Sequence, residues 1–481
     1  MNHLKYSKLE KSLPAHTYAA KIPAEELRRH PFKWIVLDDD PTGTQTVHGV
    51  PVYTGWSVPL LCESLKAPGN LFFLLTNSRG LTETETTALH REITQNVLAA
   101  SGETGVKYLY ISRSDSTLRG HFPLETDLLA EGLREDYGHT DGVILYPFFP
   151  EGGRYTVGNI HYVRYGDDLV PASETEFAKD VTFGYKSSDL REYAEEKTGG
   201  KVKAEDVLCV SLEDLRNGPS GKITAMLESA ENGQIIVVNS FDYDDVSVFT
   251  EALYHALDKE KIFVFRTAAG FVKKAGGISD RGLLTPEDFP ADKETGGIVA
   301  IGSHTAKTTE QVKELLTLEN VVPVEFRSSR VLAGDEEFEK EIKRCISCAE
   351  ELIREGKTAA VFTERKYLAL PDDTKESALL RSVKISGGLS RIVRDLSVKP
   401  SFVISKGGIT SADVAVKSLR IRKATVKGQI RPGIPVWECE ESATYGTIPF
   451  VIFPGNVGDK YDLKKAVCVL THTPYKTEGD L

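Results

Sequence analysis

Three short stretches of the chain gather acids, arginines, hydroxyls and glycines: "DDDPTGTQT" (38–46), "SRSDSTLRGHFPLE" (112–125) and "PFFPEGGRYTVGN" (147–159). In the second, Arg113, Asp115, Ser116, Thr117 and Arg119 fall within seven positions. Two guanidiniums this close can grip a carboxylate or phosphate in bidentate fashion, which an ammonium cannot do. Asp115 and the hydroxyls suit a polyhydroxy ligand, whose every C–OH seeks a donor and an acceptor. The plainer alternative is an Arg–Asp surface pair beside a helix N-cap, where Ser and Thr are common. In the third stretch, Gly152 and Gly153 let the backbone approach a ligand, and Arg154 adds another anion fork beside Tyr155 and Thr156. Its alternative is a tight turn with an exposed arginine. The repetition of this style in three places argues against coincidence.

The second half carries a different chemistry. "AIGSHTAKTTEQVKELL" (300–316), "VISKGGITSADVAVKSL" (403–419) and "VIFPGNVGDKYDLKKAV" (451–467) share one design: an apolar run, a glycine turn, then a helical stretch. In the second of these, Thr410 or Ser411 is expected to open the helix. Glycine turns at helix N-termini offer backbone N–H groups and the positive end of the helix dipole to phosphates. None matches G-x-x-x-x-G-K-[ST] or a clean G-x-G-x-x-G, so the signal lies in the triple occurrence.

Short β-branched runs must position these stretches. Candidate strands are "KWIVL" (33–37), "LFFLL" (71–75), "KYLYIS" (107–112), "GVILY" (142–146), "QIIVVN" (234–239) and "KIFVFR" (261–266), separated by helix-length segments. Runs apolar throughout suggest strands covered on both faces, and strands alternating with helices read as βαβ units in a largely parallel sheet. Each chemistry-bearing stretch follows a strand, where open α/β sheets bind ligands. Residues 273–297 are polar and rich in Gly, Pro and Asp, and read as an interdomain connection. The rhythm then restarts with "GIVAIG", "VVPVEF", "TAAVFT", "SFVISKGG" and "PFVIFPGN". The expected fold is α/β, with two domains that each hold a largely parallel sheet flanked by helices, and an active site in the cleft between them.

Bulk properties narrow the partners. At 481 residues the chain exceeds one core. A net charge of -11 argues against a general nucleic-acid or anionic-membrane binder, although local arginines can still hold an anionic small molecule. No apolar run approaches the roughly 20 residues of a spanning helix, and the N-terminus lacks the apolar core of a secretory signal. A cytoplasmic location is the resulting expectation. The pair Cys345 and Cys348 lies in a helical stretch and reads as helix packing, not metal or redox chemistry. A homodimer is the default expectation for assembly.

The motifs resemble the four-carbon acid sugar kinase family, formerly a domain of unknown function. The resemblance spans about residues 33–470 and rests on "DDPTG" (39–43), "DSTLRG" (115–120), "FPEGGRYTVGNIHYV" (149–163), "ETEFAKD" (174–180), "GSHTAKTTEQ" (302–311), "KGGIT" (406–410) and "FPGNVG" (453–458). It implies a sugar-acid-binding domain (1–275, with 1–30 an extension), a linker (276–296) and a nucleotide-binding domain (297–481). It implies ATP- and Mg²⁺-dependent phosphorylation of the terminal hydroxyl of threonate, erythronate or a 3-oxo-tetronate. By the same resemblance Asp39, Asp40 and Asp115 are the candidate catalytic acids, one of them the base; the remaining aspartate of the run, Asp38, is expected on physical grounds to cap the turn. Arg119 holds the substrate carboxylate, with Arg113 or Arg154 assisting and Ser116 nearby. Ser303, Thr305, Gly407, Gly408, Ile409, Thr410, Gly455 and Asn456 hold the nucleotide. Mg²⁺ is expected on the phosphates and water, and no protein ligand for it is named. Adjacent carboxylates raise one another's pKa, so the aspartate run needs an arginine or another cation beside it. Departures are "TGTQTV" after the first motif, where many members show a later aspartate, Arg113 where many have lysine, and His304 where cysteine is frequent. The competing readings are an NAD-dependent sugar-acid dehydrogenase and a non-catalytic sugar-acid-binding protein.

Overall fold

The computed structural model describes residues 3–475 apart from 292–293, 367, 369, 371–372 and 374. The chain forms two compact units, residues 1–50 with 55–280 and residues 51–54 with 281–481.

Among the described residues of the first unit, seven strands pair parallel throughout: β1 (Lys33–Asp38), β2 (Leu71–Leu75), β3 (Tyr108–Arg113), β4 (Gly142–Tyr146), β5 (Leu208–Val210), β6 (Gln234–Val238) and β7 (Phe263–Thr267). The order across the sheet is β5-β6-β4-β7-β3-β1-β2. Every residue of β1, β2, β3, β4 and β7 is buried, as uninterrupted apolar runs require when helices cover both faces. The chain leaves β1 toward β2 on one side and returns to β3 on the other. The topological switch point therefore falls between β1 and β3, where the loops bearing Asp38–Asp40 and Asp115–Arg119 emerge.

A small antiparallel sheet that the sequence pattern does not announce lies beside this one, built from Leu4–Lys5, Arg154–Val157, Ile160–Tyr165 and Asp168–Pro171. Arg154 thus opens a strand and does not sit in an open turn. The hairpin turns on Gly158 and Asn159, both at positive φ, the geometry that favours such a pair.

The second unit holds β8 (Ile298–Ile301), β9 (Val321–Phe326), β10 (Thr358–Thr363), β11 (Val403–Lys406), β12 (Lys423–Arg431), β13 (Ile434–Cys439) and β14 (Pro449–Phe453). The order β9-β10-β8-β11-β14 is parallel, and β13, β12 and the short strand Pro51–Tyr53 extend it antiparallel. Here the switch point lies between β8 and β11. The β12–β13 hairpin was not foreseen, because charged residues and two register shifts break its alternation. Leu284 and Phe289, from the polar stretch read as a connection, are buried in this unit's core. Cys345 is buried in the helix Asp335–Arg354, which also carries Cys348. No described helix is long and apolar enough to cross a membrane.

Candidate functional site

At the β1–β3 switch point the three aspartates have separate fates. Asp38, expected to cap the turn, is the most deeply buried, at 1% exposure. Its carboxylate lies 3.5 Å from Arg113 Nη1, and burial pushes it well above the usual range with Arg113 opposing. A Cβ on Gly43 would come within 2.0 Å of Asp38 Oδ2, so only glycine fits there. Asp40 does the capping instead: it accepts from Thr42 N–H at 2.9 Å and opens the short 3₁₀ turn Pro41–Thr44. Proline forbids a donor at the first position and the carboxylate serves the next, an economical helix start.

Between them, Asp39 is gripped by an arginine that the sequence reading did not single out. Arg79, in the loop after β2, donates from Nε to Asp39 Oδ2 at 3.0 Å and from Nη2 to Oδ1. Its Nη1 lies 3.5 Å from Asp40 and 3.7 Å from Asp115. One guanidinium thus joins the carboxylates of two loops, which supplies the cation that the aspartate run demanded. Burial raises the Asp39 pKa, and Arg79 acts against it. Arg79 follows an apolar strand, as the other arginines do, so the loop-after-strand rule applied to "TNSRG" would have found it. Glu125, also missed, is buried behind Asp39 and accepts from Ser78, Ser112 and Ser114 at 2.6, 3.2 and 3.3 Å.

Asp115 and Arg119 face each other across one turn. Asp115 accepts from Arg119 Nε at 2.9 Å and Nη2 at 3.1 Å, and from Thr117 N–H at 3.1 Å. Burial pushes the Asp115 carboxyl up, but Arg79, Arg119 and the Thr117 hydroxyl more than offset this and hold it far below the usual range. The same loop places Leu118 at φ +70°, a conformation that stores strain in a β-carbon residue. Arg266 of β7 holds it there, donating to the carbonyls of Asp115 and Arg119 at 2.9 Å each. His161 donates from Nε2 to the Ser116 carbonyl at 2.8 Å, and its Nδ1 lies 3.0 Å from the Thr156 hydroxyl. Burial lowers its pKa to about 4, so the ring is neutral, and Nδ1 accepts from Thr156.

Arg154 joins this cluster from the small sheet. Its guanidinium and that of Arg119 both lie against the Phe177 ring, at 5.5 and 5.1 Å from the ring centroid. Arg119 also has Asp180 at 3.7 Å. Arg154 has a buried Nε without a hydrogen-bond partner among the described residues, and burial depresses its pKa. An under-partnered guanidinium beside a paired one is a receptive anion site. The predicted Asp39, Asp40, Asp115, Arg113, Ser116, Arg119 and Arg154 therefore come together at one end of this sheet.

In the second unit the three glycine turns also converge. Thr305 caps the helix Ala306–Leu315 by accepting from Thr308 N–H at 3.2 Å. The hydroxyls of Thr305 and Thr308 each donate to the Gly455 carbonyl at 3.0 Å, and the Thr308 oxygen lies 2.9 Å from Ser303 Oγ, from which it can accept. Added Cβ atoms would meet Ser303 Oγ at 2.9 Å from Gly455, and Thr410 Oγ1 at 3.3 Å from Gly407, whose φ of +119° also requires glycine. The helix after β11 begins at Gly408, not at Thr410 or Ser411, and Ile409 stands 77% exposed on its first turn. The third turn does not lead straight into a helix: Asp462–Thr471 begins seven residues after Gly455. Beside the turns is a cavity of about 370 Å³ lined by Gly302, His304, Leu368, Val383, Ile409 and Thr410 among others.

Comparison with family models gives two matches in chain order: residues 34–275, just over half of the chain, fit a sugar-binding N-terminal domain, and residues 298–463 fit a nucleotide-binding C-terminal domain. The chain belongs to the four-carbon acid sugar kinase family. The aspartate–arginine cluster lies in the sugar-binding domain of this family member and the glycine turns in its nucleotide-binding domain. Among solved structures, a Haemophilus influenzae protein of a domain-of-unknown-function family is 18% identical, with TM-score 0.61, over 91% of this chain and 100% of that one. A Salmonella typhimurium protein described as a candidate tRNA synthase is 15% identical, with TM-score 0.64, over 90% and 98%. At such identity they attest to the fold. Comparison with curated proteins gives no match.

Proposed function

We propose that the protein is an ATP-dependent kinase that phosphorylates the terminal hydroxyl of a four-carbon sugar acid of the threonate, erythronate or 3-oxo-tetronate type. The observation that carries this reading is the junction of Arg79 with Asp39, Asp40 and Asp115 beside Arg119 and Arg154, in a domain of the sugar-binding family. A sugar acid presents one carboxylate and several hydroxyls, and the cluster offers guanidinium forks for the first and carboxylate acceptors for the second.

Phosphoryl transfer asks chiefly for positioning and charge stabilisation. Arg119, assisted by Arg154, is assigned to the substrate carboxylate. Asp115, held ionised by two arginines, is a weak base and is assigned to a substrate hydroxyl. Asp39, whose pKa burial raises, is the carboxylate best suited to accept the proton of the attacking hydroxyl. Arg113 neutralises Asp38 beneath them. MgATP is the second substrate, its phosphates assigned to the turns of Ser303–Thr305, Gly407–Thr410 and Gly455–Asn456, where close packing of Gly455 against Ser303 leaves room for backbone only.

The test is a thermal-shift screen with MgATP, NAD and a panel of four-carbon acids, followed by phosphorus NMR of the product from the best pair. A phosphomonoester on the terminal carbon is expected. Stabilisation by NAD with hydride transfer would establish the dehydrogenase instead, and acid binding without any nucleotide response would establish a binding protein.

A further inference from the structure

Lys406, the last residue of β11, is wholly buried. Its Nζ donates to the Pro454 carbonyl at 2.6 Å and lies 3.4 Å from that of Gly455, with the Phe453 ring 4.1 Å away. Among the described residues no carboxylate forms an ion pair with it. Burying an ammonium without a counter-charge is costly, so such a group either gives up its proton or has its charge answered by a partner. Two backbone carbonyls answer part of it.

Their orientation has a second effect. In a planar trans peptide the C=O and the following N–H point in opposite directions. Carbonyls of Pro454 and Gly455 drawn in toward Lys406 therefore turn the N–H groups of Gly455 and Asn456 the other way. Neither amide donates to a backbone carbonyl among the described residues. Successive amides aimed outward over a buried cation make an anion-binding concavity. Arg365 adds to it: it donates to Thr309 Oγ1 at 3.0 Å, and its buried Nη1 has no hydrogen-bond partner among the described residues.

We propose that Lys406 is a positioning residue for the nucleotide phosphates, its ammonium both aiming the Gly455 and Asn456 amides and taking the phosphate charge as its missing counter-ion. The proposal rests on the nucleotide reading above. It has a proton signature. Burial lowers the Lys406 pKa to about 7, with Lys307 and Arg365 acting in the same direction and Asp462 against it. Near pH 8 the free protein therefore holds this amine mostly neutral, and an arriving polyphosphate, already deprotonated, draws a proton onto it. The other titratable group at these turns, His304, is held below the ordinary imidazole value by burial and by Arg365.

The experiment is calorimetric titration of the full-length protein with MgADP near pH 8, in two buffers of different ionisation heat. The wild type should take up a substantial fraction of a proton per nucleotide bound. Lys406→Met should lose that uptake and bind MgADP at least tenfold more weakly, whereas Lys406→Arg should bind nearly as well as wild type and His304→Gln should keep the uptake. Equal affinity in wild type and Lys406→Met, or wild-type binding without proton uptake, would overturn the assignment. If Lys406→Met does not fold, the wild-type proton count decides alone. Absence of any nucleotide binding by the wild type would overturn the nucleotide reading itself, and the role of Lys406 with it.

Discussion

Arg79 donates through its Nε and Nη2 to the two carboxylate oxygens of Asp39, and its remaining nitrogen lies within 4 Å of Asp40 and Asp115. Arg79→Lys keeps the charge and loses the fork. On the scale of charge-assisted hydrogen bonds, roughly 1.5–3 kcal/mol, turnover should fall about ten- to a hundredfold. Arg79→Met should in addition raise the Asp39 pKa further, since Arg79 is what opposes burial there, moving the acid limb of the pH–rate profile upward. A profile unchanged in shape would show that Arg79 only supports the fold.

Arg119→Lys should raise KM for the sugar acid by roughly tenfold or more, with KM for MgATP unchanged. Steady-state kinetics with each substrate varied separately is the measurement. An equal effect on both constants would place Arg119 outside the acid subsite.

Asp39→Asn should suppress kcat far more than Asp115→Asn, whose main effect should fall on substrate binding. Comparable kcat losses with unchanged KM in both variants would assign the proton transfer elsewhere.

Gly455→Ala should weaken MgADP binding, because the new methyl presses on Ser303 Oγ, 2.9 Å from where its carbon must sit. Adding Ser303→Ala removes that oxygen and should restore part of the affinity. Titration calorimetry of the single and double variants reads this coupling.

His161 gives the stability curve a defined shape. Its folded pKa of about 4 lies below the unfolded 6.5, so the unfolded chain binds the extra proton between these values. The contribution is complete above pH 6.5 and is lost as pH falls toward 4, up to about 3 kcal/mol in all. Urea midpoints across this range should show the decline in wild type, and His161→Gln should lack that component.

Much of this was legible in the sequence because the governing patterns are local. Uninterrupted apolar runs such as Lys33–Asp38 gave the parallel strands, and the switch-point rule placed Asp39 and Arg119 at one end of a sheet. What escaped depends on distant partners. Nothing near Arg79 reveals that it reaches loops 40 and 36 residues away in opposite directions. Asp38 and Asp40 look interchangeable in "DDDP", and only the backbone's entry into the 3₁₀ turn decides which one caps and which one is buried. Arg154 was read as part of a loop because its strand pairs with a short, half-exposed sheet whose apolar pattern is weak.

Arg266 lies 151 and 147 residues beyond the two carbonyls it holds, those of Asp115 and Arg119. During synthesis the loop after β3 is made long before the side chain that shapes it, and β7 is the last strand to enter its sheet. The strained turn at Leu118 cannot be locked until that strand inserts between β3 and β4. Acid binding should therefore be acquired late and all at once, and nascent chains ending before residue 263 should fold their earlier strands without gaining it.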